Sequence, residues 1–128
     1  MNVLLTNDDG VQAPVLRELQ RALAPLGRVI VVAPDRNQSA TSHALTLHRP
    51  FRIQQHGTDV YSVDGTPTDC VITSFYGLLD QRPDLVISGI NLGPNMGEDV
   101  FYSGTVAAAI EGSLQGTPAI AASWAGKL

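Results

Sequence analysis

Two adjacent carboxylates, Asp8 and Asp9, follow a short apolar run near the start of the chain. The run Val3–Thr6 predicts a buried parallel strand, and ligands of open α/β sheets bind beyond the carboxyl ends of such strands. Neighbouring carboxylates repel each other unless a proton or a cation offsets their charge. A hard divalent cation with oxygen ligands would stabilise the pair. The alternative is that the pair only caps the following helix.

Polar residues also follow two other predicted strands. Ser39 lies beyond the predicted strand Arg28–Ala33, and Asn91 follows the predicted strand Leu85–Ser88. Because neighbouring parallel strands end at one edge of a sheet, we expect both side chains to lie near the aspartates. Carboxylate, hydroxyl and amide oxygens suit Mg²⁺, Mn²⁺ or Ca²⁺ better than zinc. Taken singly, each of these residues is also typical of a turn or of a capped loop.

A third group of polar and small residues lies at the start of a predicted helix, Thr105–Leu114. Ser103, Gly104 and Thr105 stand where this helix begins. Free backbone N–H groups and the helix dipole attract anions there, and a glycine lets an oxyanion approach the backbone closely. A phosphate site beside a divalent metal would suit phosphoryl chemistry. The same residues could instead form an ordinary helix cap.

The elements that must position these groups alternate between strand and helix patterns, which predicts βαβ units around a mostly parallel sheet. Pro14 and leucines at helical spacing predict a first helix that ends by Gly27. Thr66 followed by Pro67 predicts the start of a second helix. The long segment Gly89–Gly104 is typical of a functional loop. The predicted strands are Val3–Thr6, Arg28–Ala33, Ala44–Leu47, Phe51–Gln54, Val60–Val63, Leu85–Ser88 and Ala119–Ala122.

Composition excludes several classes of function. The chain has 128 residues, enough for one domain, and its net charge of −4 argues against a basic nucleic-acid-binding face. Lys127 is the only lysine, which argues against a catalytic or phosphate-binding lysine. Cys70 is the only cysteine, so neither a disulfide framework nor a thiolate metal cluster is expected. Neither a signal-peptide pattern nor an apolar run of membrane-spanning length is found, and we expect a cytoplasmic protein.

The last predicted strand, Ala119–Ala122, is followed by too few residues for a covering helix. A parallel sheet needs cover on both of its faces. We therefore expect either that a partner subunit provides this cover, in a homo-oligomer, or that part of a longer protein is absent.

Five short stretches spaced along the chain are similar to the sequence motifs of one known protein family. They are Thr6–Gly10, Ala33–Ser39, Gly65–Cys70, Ser88–Asn95 and Tyr102–Thr105. In this order and at this spacing they resemble the SurE family, the survival-protein 5′/3′-nucleotidases. The resemblance implies a Rossmann-like, three-layer α/β fold with a mostly parallel sheet. It also implies a metal-dependent phosphomonoesterase that hydrolyses nucleoside monophosphates to nucleoside and phosphate, with one divalent ion per subunit activating a water.

The resemblance also implies roles for individual residues. The family's metal ligands fall on Asp8, Asp9, Ser39 and Asn91, the two aspartates being catalytic as well, and its phosphate-binding residues fall on Asn95, Ser103, Gly104 and Thr105. Asn95 taken alone is typical of a turn. The implied partners are a nucleoside monophosphate and further copies of the chain, as a dimer or tetramer, but neither a membrane nor a nucleic-acid duplex.

The sequence departs from the family in two respects. Val15 stands where the family usually has glycine, at a helix start. SurE proteins also continue well past this length, so we expect residues 1–128 to form a single, truncated domain. The alternative function is therefore a non-catalytic domain of the same fold that binds metal and nucleotide.

Overall fold

The computed structural model describes residues 1–37, 49–92 and 103–124. Within these ranges the strands form one six-stranded sheet in the order β3-β4-β2-β1-β5-β6. The strands are β1 Asn2–Thr6, β2 Arg28–Pro34, β3 Ile53–Gly57, β4 Val60–Val63, β5 Leu85–Leu92 and β6 Ala119–Trp124. The helices are α1 Pro14–Leu23, α2 Pro67–Thr73 and α3 Gly104–Leu114, with a 3₁₀ turn at Ala24–Leu26 and a π turn at Ser74–Leu78.

All neighbouring strands of this sheet are parallel except β3, which runs antiparallel to β4. β1 lies between β2 and β5, with Leu5 aligned to Val31 on one side and Thr6 aligned to Ser88 on the other. The carboxyl ends of β1, β2, β4 and β5 therefore lie at one edge. β1 is also where the connections reverse direction across the sheet, and this is where open α/β folds bind their ligands.

Both faces of the sheet carry helices, because successive residues of a strand point to opposite faces. Leu5 and Val31 belong to the core that contains Leu16 of α1. Leu4 and Val86 belong to the opposite core, which is completed by side chains of α2 and α3. This three-layer arrangement confirms the predicted Rossmann-like α/β class.

The start of α2 confirms the predicted helix signal and shows its chemistry. The Thr66 hydroxyl accepts a hydrogen bond from the Asp69 N–H at 3.1 Å, and the Asp69 carboxylate accepts one from the Thr66 N–H at 2.8 Å. This capping box satisfies two N–H groups at the helix start. Gly65 makes room for it, since a Cβ atom there would lie 2.6 Å from Asp69 Oδ2.

Three strand predictions need correction. The strand expected at Ala119–Ala122 continues to Trp124, because its last residues pair with the extended end of β5. The strand expected at Phe51–Gln54 forms at Ile53–Gly57, because the Arg52 N–H donates to the Asp64 carboxylate at 2.6 Å and pairing with β4 starts only at Ile53. The strand expected to end at Ser88 continues to Leu92, because it resumes pairing with β6 after a register shift. The strand predicted at Ala44–Leu47 lies outside the described residues.

β6 lies at the edge of the sheet and pairs with β5. Ile120 and Trp124 on this strand are 50% and 49% exposed. No helix in the described ranges is both long enough and apolar enough to cross a membrane.

Candidate active site

The two aspartates sit in a turn that Asn7 closes. The Asn7 side chain accepts a hydrogen bond from the Gly10 N–H at 3.1 Å and donates one to the Gly10 carbonyl at 3.0 Å. Gly10 has φ +108°, a backbone conformation that favours glycine. This turn holds Asp8 and Asp9 at the carboxyl end of β1. The role of Asn7 was missed from the sequence, although an Asn three residues before a Gly is a usable turn signal.

The same turn packs against the segment that follows β2. The Val11 N–H donates to the Pro34 carbonyl at 2.8 Å, and a Cβ atom on Gly10 would lie 3.1 Å from the carbonyl carbon of Arg36. The chain leaving β2 therefore passes directly beside the aspartates. Ser39 follows β2 in the sequence and Asn95 follows β5, and both lie outside the described residues. The assignments of Ser39 as a metal ligand and of Asn95 as a phosphate-binding residue therefore stay predictions.

The start of α3 lies against Asp8. A Cβ atom on Gly104 would be 3.1 Å from Asp8 Cβ and 3.6 Å from Asp8 Oδ2. It would also be 3.3 Å from Pro67 Cγ, in the first turn of α2. The absence of a side chain at Gly104 thus lets β1, α2 and α3 meet at one point.

Ser103 is the N-cap of α3. Its hydroxyl accepts a hydrogen bond from the Val106 N–H at 3.2 Å, and its carbonyl accepts one from the Ala107 N–H at 2.9 Å. The Ser103 side chain therefore caps the helix, which was the alternative to a phosphate-binding role for this segment. The N–H groups of Gly104 and Thr105 have no partner within the helix. They stand at the positive end of the helix dipole, where an anion is stabilised.

Burial disfavours the charged forms of both aspartates, and the charge of Asp9 adds to this effect at Asp8. Asp8 is 4% exposed, and burial raises the pKa of its carboxyl, with the Asp9 charge raising it further and the Thr105 hydroxyl partly opposing both. Burial also raises the pKa of Asp9. Among the described residues, neither Asp8 Oδ1 nor Thr105 Oγ1 forms a hydrogen bond of normal geometry. Thr105 is therefore a neighbour of Asp8 rather than its hydrogen-bond partner.

Asn91 was predicted to follow a strand. It instead lies within β5, beyond an irregularity in the pairing of β5 with β6. The register of β5 against β6 shifts between Ser88 and Asn91. Gly89 stands at this shift with φ +145°, and a Cβ atom there would overlap the Ala122 carbonyl. Such bulges re-aim the side chains that follow them. Asp9 and Asn91 lie equally far beyond the aligned pair of Thr6 and Ser88, so both belong to the same edge of the sheet.

Comparison with known proteins identifies the family. The sequence model of the family described as survival protein SurE matches residues 3–127. The chain belongs to the SurE family.

Curated SurE relatives agree with this assignment over the whole chain. The 5′-nucleotidase SurE of Gemmatimonas aurantiaca is 61% identical over 128 residues, which cover 100% of this chain and 51% of the relative. That of Geotalea daltonii is 58% identical over 123 residues, covering 96% of this chain and 50% of the relative. The crystal structure of the SurE protein from Aquifex aeolicus superimposes with a TM-score of 0.94 at 51% identity, covering 99% of this chain and 52% of that one. The chain thus spans about half the length of the SurE relatives it matches.

The donor groups at this edge of the sheet fit a hard divalent cation. No cluster of three or more His, Cys, Asp and Glu side chains is present in the described ranges, so a soft or imidazole-rich site is not formed there. What these ranges do hold is a buried carboxylate oxygen of Asp8 without a partner, with the Asp9 carboxylate beside it. Carboxylates joined by amide or hydroxyl oxygens suit Mg²⁺, Mn²⁺ or Ca²⁺. A cation would also offset the burial and the Asp9 charge, which together raise the pKa of Asp8.

Proposed function

We propose that this chain carries the metal- and phosphate-binding part of a 5′/3′-nucleotidase site that hydrolyses nucleoside monophosphates to nucleoside and phosphate. The observation that supports it best is the contact between Gly104 and Asp8. It places a helix start, which attracts anions, against a carboxylate pair that attracts a cation. Curated relatives of this chain carry the name 5′-nucleotidase.

In this proposal Asp8, Asp9, Ser39 and Asn91 hold one divalent ion. When bound, the ion polarises a phosphoryl oxygen and lowers the pKa of a coordinated water. The N–H groups of Gly104 and Thr105 donate to the other phosphoryl oxygens, and the dipole of α3 stabilises charge that develops on them.

Proton transfer falls to Asp9, which is more exposed than Asp8. It accepts a proton from the attacking water as the oxygen of that water bonds to phosphorus. A water molecule gives a proton to the ribose oxygen as the bond between that oxygen and phosphorus breaks, and Asp9 later loses its proton to solvent. Asn95 contributes to substrate binding, and the working protein is a dimer or tetramer.

Calorimetry with Mn²⁺ tests the metal ligands. Asp8→Asn and Asp9→Asn each remove a full charge from the site, and we expect each to weaken Mn²⁺ binding by at least about tenfold. Asp80→Asn is the matched control, because it makes the same charge change at a side chain that is 79% exposed. Unchanged Mn²⁺ affinity in both site variants would contradict the assignment.

A second candidate function is a domain that binds metal and nucleotide without turnover. It would use the same carboxylate pair and helix start, without the proton transfer assigned to Asp9. Phosphate release from nucleoside monophosphates, measured with and without Mn²⁺, separates the two. Mn²⁺-dependent release supports the nucleotidase, whereas Mn²⁺ binding without release supports the second candidate.

A further inference from the structure

In the part of the chain that the structure describes, several buried oxygens without hydrogen-bond partners belong to elements that meet at the site end of the sheet. They are the hydroxyls of Thr6, Thr68, Ser88 and Thr105 and the Oδ1 atom of Asp8. The four hydroxyl residues are 0% exposed, and Asp8 is 4% exposed. Buried polar groups in native proteins nearly always pair with protein or with internal water. A set of such groups in one place therefore needs an explanation.

Thr6 and Ser88 lie side by side. They are aligned in the register between β1 and β5, so their side chains share one face of the sheet. It is the face of Leu4 and Val86, which pack in the core formed with α2 and α3. The Thr6 hydroxyl also lies near the Cys70 thiol, whose pKa burial raises and this hydroxyl partly lowers. A thiol is only a weak hydrogen-bonding group, and the Thr6 hydroxyl forms no bond of normal geometry with it.

The two helix starts bring the other hydroxyls to this face. Thr105, Ala108 and Gly112 have the spacing of one helix face. Ala108 is buried in the α2/α3 core, and a Cβ atom on Gly112 would lie 2.9 Å from the Val86 side chain, so this face of α3 covers the sheet. Thr105 then lies toward the carboxyl edge, where it influences Asp8.

Thr68 joins the group through α2. It follows Pro67, whose Cγ atom would be 3.3 Å from a Cβ atom on Gly104, and it is fully buried. All four hydroxyls therefore belong to elements that meet at the carboxyl edge of the sheet, where Asp8 lies.

We propose that Thr6, Thr68, Ser88 and Thr105 hold one or more internal water molecules that donate to Asp8 Oδ1 and fix the orientation of its carboxylate. Each hydroxyl can donate once and accept twice, and an internal water typically makes about three hydrogen bonds to such groups. Thr6, Thr68 and Ser88 are then positioning residues, since they act through Asp8. This inference goes beyond the proposed function, because the water support exists whether or not the site binds substrate.

The sign of a stability change tests the proposal. Thr6→Val keeps the shape of the side chain and removes only the hydroxyl. If the hydroxyl had no partner, this change would raise the Tm, because a buried polar group without a partner destabilises the folded state. We expect instead that Thr6→Val and Ser88→Ala each lower the Tm by about 4 °C or more. Thr6→Ser keeps the hydroxyl, and its Tm should stay much closer to that of the parent.

Thr73 provides a matched control. Its hydroxyl also has no partner among the described residues, but it lies in the last turn of α2, at the end opposite to the one near Asp8. Thr73→Val should leave the Tm unchanged or raise it. A rise in Tm for Thr6→Val and Ser88→Ala would overturn the proposal.

A crystal structure of the metal-free chain, with one of the Thr6→Val variant, tests the water and the orientation directly. We expect water within hydrogen-bond distance of at least two of the hydroxyls and of Asp8 Oδ1, and a changed or doubled Asp8 conformation in the variant. An unchanged Asp8 side chain, or an ion at this position, would overturn the proposal. These measurements need neither bound metal nor turnover, so they stand apart from the tests of the nucleotidase.

Discussion

Replacing Gly104 with alanine tests the contact on which the candidate site depends. The added Cβ atom would lie 3.1 Å from Asp8 Cβ and 3.3 Å from Pro67 Cγ. Carbon atoms in favourable contact are about 3.5–4.0 Å apart. Because Pro67 is also close, the start of α3 and the Asp8 side chain must separate by a few tenths of an ångström, roughly 0.4 Å.

This separation sets the expected size of the effect. A misplacement of about 1 Å in a catalytic arrangement can cost roughly a hundredfold in rate. We therefore expect Gly104→Ala to lower kcat/KM for a nucleoside monophosphate by about fivefold to tenfold, which corresponds to about 1.0–1.4 kcal/mol of transition-state stabilisation. Stability should change far less, because alanine is the better helix former and offsets part of the strain.

Phosphate release and thermal unfolding should be measured on the same samples. Gly77→Ala is the matched control, since it adds the same methyl group in a helical turn where a Cβ atom meets nothing within 4 Å. The control should keep its kcat/KM. If Gly104→Ala keeps the parent kcat/KM in an otherwise active protein, the helix start does not bind phosphate against Asp8, and the reasoning fails.

Two further predictions concern stability. Because burial raises the pKa of Asp8, the metal-free protein should lose stability as the pH rises from about 4 through the raised value. Asp8→Asn should remove this loss, so its Tm should match the parent at low pH and exceed it at pH 7; an equal Tm at both pH values would contradict the assigned electrostatics. Thr66→Ala removes one half of the capping box of α2 and should cost about 1 kcal/mol, measured by denaturant unfolding. Its Mn²⁺ affinity should stay at the parental value, and a large loss would show that the cap also supports the site.

Features specified by neighbouring residues were predictable from the sequence. The Thr66–Pro67 helix start is one example, because the cap, the proline and the acid of the first turn lie within one turn. The strand β1 with Asp8 at its end is another, because an apolar run and the polar residues after it are contiguous. Local patterns of this kind reflect backbone chemistry that does not depend on the rest of the fold.

Features that depend on distant partners were not predictable in this way. The extension of β5 to Leu92 depends on pairing with β6, and the late start of β3 depends on Asp64. At the candidate site, the carboxylate pair and the helix start were each visible in the sequence, but the contact of Gly104 with Asp8 was not. Neither was the convergence of Thr6 and Ser88, since their alignment arises only from the register of β1 with β5.

The central position of β1 has a consequence for the order of folding. Pairing with β2 closes only the short loop through α1. Pairing with β5 must close a much longer loop, across which the Asn2 N–H bonds to the Asp84 carboxylate over 82 positions. Longer loops cost more chain entropy, and non-local pairing is slow. We therefore expect Asp8 and Asp9 to be displayed on a β1–β2 unit before α3 docks, so that a growing chain presents its carboxylates to metal ions before it can hold a phosphate.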